Sequence, residues 1–529
     1  TFKVIQDTVV HYIEKWKPTE KIEPTKVATI GLSGIAGYFL FKTLIYRLFL
    51  HPLNKLPGPR VSWIPFMGNF FEVMLSQIED SPFIKWTEEY GGIFKYHHHW
   101  NEPQLVVSDP QLIKQILTTQ VYDFAKPNFV TKDLTRVAGV GVLVAEGDIH
   151  RVQRKMLNPA FSVQSIRGMV PLMLGPGYTL RDQWIQKMMT SDKEFTEITV
   201  SGGLSLATLD VIGITAFGQD FKSLKNYGTE KMNRFAKAYL QLFDGDLPMI
   251  KVLSLFIPLL EYLPTKRDRE DAISLKWLHE ESAALVDAGI QRNEKEKDYE
   301  KDKKSKDLLS LMVNLIDEET GKGFTKEELR NQCLTFLAAG HETTSNTLCW
   351  CLWLLAGHQD VQDRLRAEIQ PLFKDGKIAD YDAVNALPYL DHVCRETLRR
   401  IPTVPRTNRV SLKQVALGPH VVPKGTIIHI SPIVSQLSKD IWGEDALEFN
   451  PSRWEKAQIG NAYQYFPFLV GGHQCIGHRF ATIEMKVLLA ILIKDIQFFE
   501  KPQYVIRKKQ VITTRPLPDM TLWTKPVSS

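Results

Sequence analysis

The chain has 529 residues, 44% hydrophobic and 24% charged, which is globular composition with material for a large core. A net charge of +5 on that length gives no reason to invoke nucleic acid. Four of the five cysteines (Cys333, Cys349, Cys351 and Cys394, but not Cys475) fall in apolar helical stretches; with the odd count and no CxxC or Cys/His cluster, this excludes a disulfide framework and a zinc site and points to a reducing compartment.

The first element is "VATIGLSGIAGYFLF", Val27 to Phe41, which carries no charge and extends to Leu50 if Lys42 and Arg47 snorkel. A bilayer span needs about 20 mainly apolar residues, so the run at about 27–50 is expected to be a membrane anchor. A secretory signal peptide fits poorly, because the run starts late and no small-residue cleavage site follows. A buried core helix is the other alternative. Lys15, Lys17, Lys21 and Lys26 before the run nearly balance Lys42, Arg47, Lys55 and Arg60 after it, so charge signals orientation only weakly. "HPLNKLPGPR" follows, and its prolines cannot continue a helix. The expected division is an anchor segment at 1–50, a Pro-rich hinge at 51–60 and a single body at 61–529, with no long linker or internal repeat.

From about Phe83 to Ser411 the pattern is mostly helical, as in "DPQLIKQILTT", the long "TKEELRNQCLTFLAAGHETTSNTLCWCLWLLAGH", "DVQDRLRAEIQPLF" and "YLDHVCRETLRRI". Strand-like pieces are short: "IFKYHHH" and "QLVVSD" early, "GPHVVPKGTIIHIS" and "QYVIRKKQVITT" late. The expected class is mainly α with a small, discontinuous β region. "RNEKEKDYEKDKKSKD" reads as a solvated charge run. "PMIKVLSLFIPLLEYLP", Pro248 to Pro264, is too short for a span and suits either core packing or a second membrane contact.

Near the C-terminus, "FPFLVGGHQCIGHRFA" sets Cys475 among Gly471, Gly472 and Gly477, just before a long apolar run that reads as a buried helix. Glycines let the backbone pass close to something bulky, and a helix N-terminus biases a thiol toward thiolate. Taken alone, Cys475 is a metal or cofactor ligand, a nucleophile or a buried thiol.

Phe468, Gly471, Cys475 and Gly477 fit F-x-x-G-x-x-x-C-x-G, which resembles the haem-binding loop of the cytochrome P-450 family. Four further stretches resemble that family's motifs, in its order: "HRVQRKMLNPAF" (His150 to Phe161), "AGHETT" (Ala339 to Thr344), "ETLR" (Glu396 to Arg399) and "FNPSRW" (Phe449 to Trp454). With the anchor and hinge, the resemblance covers nearly the whole chain and is closest to membrane-bound microsomal members of fungal type.

The resemblance implies the P-450 fold and a haem-thiolate monooxygenase with haem b, whose axial iron ligand is Cys475. Thiolate ligation favours O–O cleavage. It implies Thr343 as a proton-relay hydroxyl with Glu342 as the acid beside it, and Gly340 as the gap that lets dioxygen approach the helix. Glu396, Arg399 and Arg453 would form a buried structural cluster. Phe468 would shield the sulfur, while His150, Arg154, Arg409 and His473 would meet the haem propionates. Three residues depart from the family's pattern: His150 replaces its usual Trp, Leu469 stands where a small or polar residue is usual, and His473 replaces its usual Arg, which weakens the fixed charge for the propionates. The implied pocket is lined by "FVTKDLTRVAGVGVL", Phe336 and Ala339, "PTVPR" with the unusual Arg406, and "ITTRPL". No Rossmann fingerprint or flavin domain is present in the sequence, so electrons would come from an NADPH-cytochrome P-450 reductase, with cytochrome b5 as a further donor. Arg151, Lys155 and Arg479 are candidates to steer such a partner. The implied setting is the endoplasmic reticulum membrane, with the body facing the cytosol. A steroid is the favoured substrate among steroids, fatty acids, terpenoids and xenobiotics. The rivals are a haem-thiolate isomerase or peroxide-using enzyme, and a non-catalytic membrane haem protein.

Overall fold

The computed structural model describes residues 24–76, 81–243, 249–254, 256–299, 307–373, 380–456, 460–510 and 512–527. Lys15, Lys17, Lys21, Pro248 and residues 300–306 of the charge run lie outside them.

The N-terminal apolar run is helix α1 (Pro24–Leu40), continued by a π-helical stretch, Phe41–Leu50. This region is long and apolar enough to cross a bilayer, and little of it is buried. Its far end docks on the body. Arg47 Nη1 donates to Trp100 O at 2.8 Å, Asn101 Nδ2 donates to Thr43 O at 3.2 Å, and Phe39 meets the Trp100 ring edge-on at 5.0 Å. The Pro-rich segment is pinned as well: Leu53 and Leu56 are buried, and Lys95 N donates to Pro57 O at 2.9 Å. A Cβ at Gly58 would lie 1.9 Å from Lys95 O, so only glycine fits there.

The body is built on helices α2 (Gly147–Leu157), α3 (Val163–Met189), α4 (Val200–Phe217), α5 (Lys326–Gly357), α6 (Pro388–Arg400) and α7 (His478–Asp495). The long helix expected from "TKEELRNQ…" is α5. A capping box starts it: Thr325 Oγ1 accepts from Glu328 N at 3.2 Å, and the Glu328 carboxylate accepts from Thr325 N at 2.8 Å. Helix α4 lies along α5, and α3 joins α4 to α7. Apolar on nearly every side, α4 is buried in the largest core cluster and is a core helix, although its length and hydropathy would also suit a span.

The main sheet runs in the order β1 (Ile93–His97), β2 (Pro103–Val107), β8 (Ile427–Ile430), β5 (Thr407–Ser411), β3 (Phe124–Ala125). Only β2 and β8 pair in parallel. Strands β6 (Val415–Leu417) and β7 (His420–Val422) form a hairpin, as do β10 (Arg507–Gln510) and β11 (Thr514–Leu517). A third sheet sets β12 (Thr521–Pro526) between β4 (Thr196–Thr199) and β9 (Ile496–Phe499). The architecture is therefore mainly α with small sheets drawn from distant parts of the chain, the class expected from the sequence.

In the 248–264 region Ile257, Leu259, Tyr262 and Leu263 are exposed, so core packing does not account for this stretch.

Candidate active site

The cysteine loop is built from close backbone contacts. Cys475 N donates to Phe468 O at 2.8 Å and Gln474 N to Gly471 O at 3.0 Å. Gly471 has φ +76°, and a Cβ there would sit 1.9 Å from Leu117 O, so the loop lies directly on the Gln115–Thr119 turn. Gly477 caps α7.

Cys475 is the exposed cysteine; the other four are buried in the core. Protein nevertheless surrounds its thiol closely enough for burial to push its pKa up. The Gly477 N–H and the Arg154 charge pull it back down. Desolvation of the thiolate thus opposes the helix-terminus effect. Phe468 lies on the flank of this loop, 6.2 Å from the His478 ring.

A cluster of cations adjoins the loop. Arg154 Nη1 donates to Gln474 O. Arg409 is 2% exposed; Nη1 bonds Thr407 Oγ1 and Asn408 O at 2.8 Å, and Nη2 has no hydrogen-bond partner among the described residues. The His150 and His473 rings lie against each other, tilted by 32°, with centroids 3.9 Å apart. Both are held neutral: burial and the Lys126 charge bring His150 down to about 4 and His473 to about 2. The 3.5 Å approach of His473 Nε2 to Glu146 is therefore not an ion pair.

Lys126 was not foreseen. Its Nζ lies 2.7 Å from Glu146 Oε1 and 3.5 Å from His473 Nδ1. Nothing in "FAKPNF" marks it, because its role depends on residues hundreds of positions away. Three cations (Lys126, Arg154, Arg409) face one carboxylate, Glu146, which leaves an excess of two positive charges. An orphaned guanidinium nitrogen and that excess fit a dianionic group beside Cys475, as the two propionates of haem would be.

Helix α5 crosses the same region. Thr343 Oγ1 donates to Ala339 O at 2.6 Å, and the helix runs unbroken through it, without the local opening that such a bond can cause. Glu342 is engaged elsewhere. Its Oε1 accepts from Arg515 Nε and Nη2, both at 2.8 Å, and from the Thr513 hydroxyl. Gly340 departs from expectation: a Cβ there would meet Ile212 Cδ1 at 2.9 Å, so its missing side chain serves the close approach of α4.

The other segments expected around the pocket all reach α5. Val142 N donates to Gln332 Oε1 at 2.9 Å, Thr403 Oγ1 lies 2.5 Å from Thr347 Oγ1, and Arg515 holds Glu342. The structure also brings Glu396, Arg399 and Arg453 together. Arg399 donates to both Glu396 oxygens at 2.8 and 2.9 Å, Arg453 Nε donates to Oε1 at 2.9 Å, and Glu396 and Arg399 are fully buried.

The Cytochrome P-450 family model matches residues 57–523. The chain belongs to the cytochrome P-450 family. It is 34% identical over 527 residues to cytochrome P-450 monooxygenase 205 of Postia placenta, covering 92% of this chain and 94% of that one. It is 32% identical to the monooxygenase sphH of Aspergillus fumigatus, covering 95% and 94%, and 32% identical to cytochrome P-450 72A15 of Arabidopsis thaliana, covering 93% and 97%. This P-450 is therefore a monooxygenase of the haem-thiolate class, acting on a small molecule with electrons from a redox partner.

Proposed function

We propose that this P-450 hydroxylates a lipophilic small molecule at the endoplasmic reticulum membrane, drawing electrons from an NADPH-cytochrome P-450 reductase with cytochrome b5 as a further donor. The observation that carries it is Cys475, the exposed cysteine, in a loop adjoined by a cation cluster with an excess charge of two. Cys475 would hold haem b, which would supply the electron-transfer and dioxygen chemistry.

The protein's part is holding, shielding and proton supply. The Gly477 N–H supports the Cys475 sulfur. Arg409, Arg154 and Lys126 would hold the propionates, with His150 and His473 as neutral donors. Thr343 Oγ1 is the proposed proton donor on the substrate side. Glu342 would feed it after loosening from Arg515 and Thr513. Arg399, Arg453 and Glu396 fix the region behind the loop.

The exposed apolar run of α1 and the 257–263 surface support a membrane setting. On the proposed partner face, Arg151 and Lys155 already pair with Asp148 and Glu319 at 3.2 and 3.0 Å, while Arg479 is exposed. Steroids are the first substrates to assay, followed by fatty acids, terpenoids and xenobiotics.

The test is the reduced, CO-bound spectrum. The wild-type protein should show the red-shifted Soret band of thiolate ligation and Cys475→Ser should lose it, whereas substitution of Cys333, Cys349, Cys351 or Cys394 should not. An unchanged band in Cys475→Ser removes the basis of the proposal. Full turnover without any reductase would favour the isomerase or peroxide-using reading, and a thiolate band with no turnover of any kind would favour a haem protein that only binds.

A further inference from the structure

Arg406 is the residue immediately before β5, at the end of the "PTVPR" loop. The titratable groups that share its field are Tyr96 at the end of β1, His98 just beyond it, and His429 on β8. None of them is an anion. Tyr96 is fully buried, its hydroxyl bonded to Gln104 Oε1 at 2.8 Å and 2.9 Å from His429 Nε2. Burial and neighbouring positive charge hold His98 down to about 3 and keep His429 well below the imidazole range. Glu102 lies near this face, but it sits 3.7 Å from Arg47. Among the described residues Arg406 makes no hydrogen bond and no ion pair. Arg406 is partly exposed and its surroundings still lower its pKa by desolvation; a guanidinium does not lose its proton, so the charge is left for an anion from outside the chain to meet.

The surroundings are aromatic. The Phe70 ring packs edge-on against His98 at 5.1 Å, His99 at 5.8 Å and Phe256 at 5.5 Å, which joins this face to the exposed apolar 257–263 surface. The other end of the same loop is tied to α5 through Thr403 and Thr347, four residues from Thr343. One short loop thus runs from the helix that carries the proposed proton donor to a cation that makes no ion pair among the described residues and shares its field with Tyr96, His98 and His429. Such a pairing suits a ligand with an apolar body and an anionic end.

We propose that Arg406 anchors the carboxylate of an acidic lipophilic substrate, with the apolar body lying along the loop toward α5. The inference rests on the monooxygenase reading above and narrows its substrate to lipophilic carboxylic acids. Arg406 acts as a specificity residue: its planar fork binds a carboxylate through two charge-assisted hydrogen bonds.

The experiment uses the full-length, haem-loaded enzyme in nanodiscs. Dodecanoate, hexadecanoate and a steroid carboxylic acid are each titrated against their own methyl esters, by calorimetry and by the shift of the Soret band. Wild type should bind at least one acid about tenfold or more tightly than its ester, the order expected for a charge-assisted pair. Arg406→Gln should bring that ratio close to one while leaving ester affinity unchanged, and Arg406→Lys should keep part of it. The proposal is overturned if no acid in the panel is preferred by wild type, or if Arg406→Gln weakens acid and ester equally. Should Arg406→Gln fail to fold, the wild-type ratio and Arg406→Lys decide. Failure of the underlying reading looks different: the reduced CO-bound protein would lack the thiolate band, whatever the acid-to-ester ratio.

Discussion

Replacing Arg399 by Met should be among the most damaging changes outside the cysteine loop. Arg399 is fully buried and directs five hydrogen bonds: two to Glu396, and one each to the carbonyls of Gln436, Ala446 and Glu448 at 2.8, 2.7 and 3.0 Å. Removing one partner of a buried ion pair costs about 3–5 kcal/mol. Glu396 would keep Arg453 Nε and Trp454 Nε1 at 2.9 Å and Asn450 N at 3.0 Å, so the loss should lie near the lower end, about 3 kcal/mol. Arg453→Met should cost less, about 1–2 kcal/mol, because Arg453 is 9% exposed and its second partner, Asp445, is 39% exposed and open to water. Urea titration followed by Trp fluorescence and the CO-bound Soret band measures this. At a slope of about 3 kcal/mol per molar, Arg399→Met should lower the midpoint by about 1 M. A fall below about 0.3 M, or a larger fall in Arg453→Met, would refute the assignment of Arg399 as the centre of the cluster.

Thr343→Ala should retain haem and substrate binding but divert reducing equivalents to free peroxide, so product per NADPH falls several-fold; unchanged coupling would sink its role as proton donor. Arg515→Met should release Glu342 from its ion pair and alter the pH dependence of turnover without loss of haem; an identical pH profile would show that the pair has no bearing on proton supply. Deleting residues 1–40 should move the protein out of the membrane pellet while sparing the Arg47 and Thr43 contacts with the body; an unchanged pellet fraction would remove α1 as the main anchor. Lys126→Met should weaken haem retention more than His473→Leu, because Lys126 carries the fixed charge; equal retention in the two variants would contradict that.

What could be read from the sequence was what the chain decides locally. Helix α5 was visible because its capping box, length and apolar content lie within one stretch. The strands β1, β2, β8 and β10 were visible as β-rich runs. The strands β3, β4, β5, β9 and β12 were not, since each owes its existence to a distant partner: β4 pairs with β12 more than 300 residues later. The Pro-rich segment read as a stiff hinge, and its composition says nothing of Leu53 and Leu56 being buried. Gly340 illustrates the same limit. The motif placed it correctly on α5, but which neighbour fills its missing side chain is a fact of tertiary packing, and the neighbour is Ile212.

The same reasoning answers the doubt raised by His473. As a neutral imidazole it cannot replace the fixed charge of an arginine two residues before the cysteine. Read along the chain, the propionate site is therefore short of one cation. Read in space it is not, because Lys126 brings its ammonium to within 3.5 Å of His473 Nδ1, and Glu146 steadies it from the other side at 2.7 Å. The close His150–His473 pair then makes sense as a neutral wedge, since two imidazolium rings 3.9 Å apart beside three cations would repel strongly. Lys126, on a neighbouring segment, supplies positive charge that His473 in the loop does not. A motif scored residue by residue counts this as a loss. The electrostatic requirement it stands for, enough fixed positive charge to hold a dianion beside a thiolate, would be met by a residue that no motif contains.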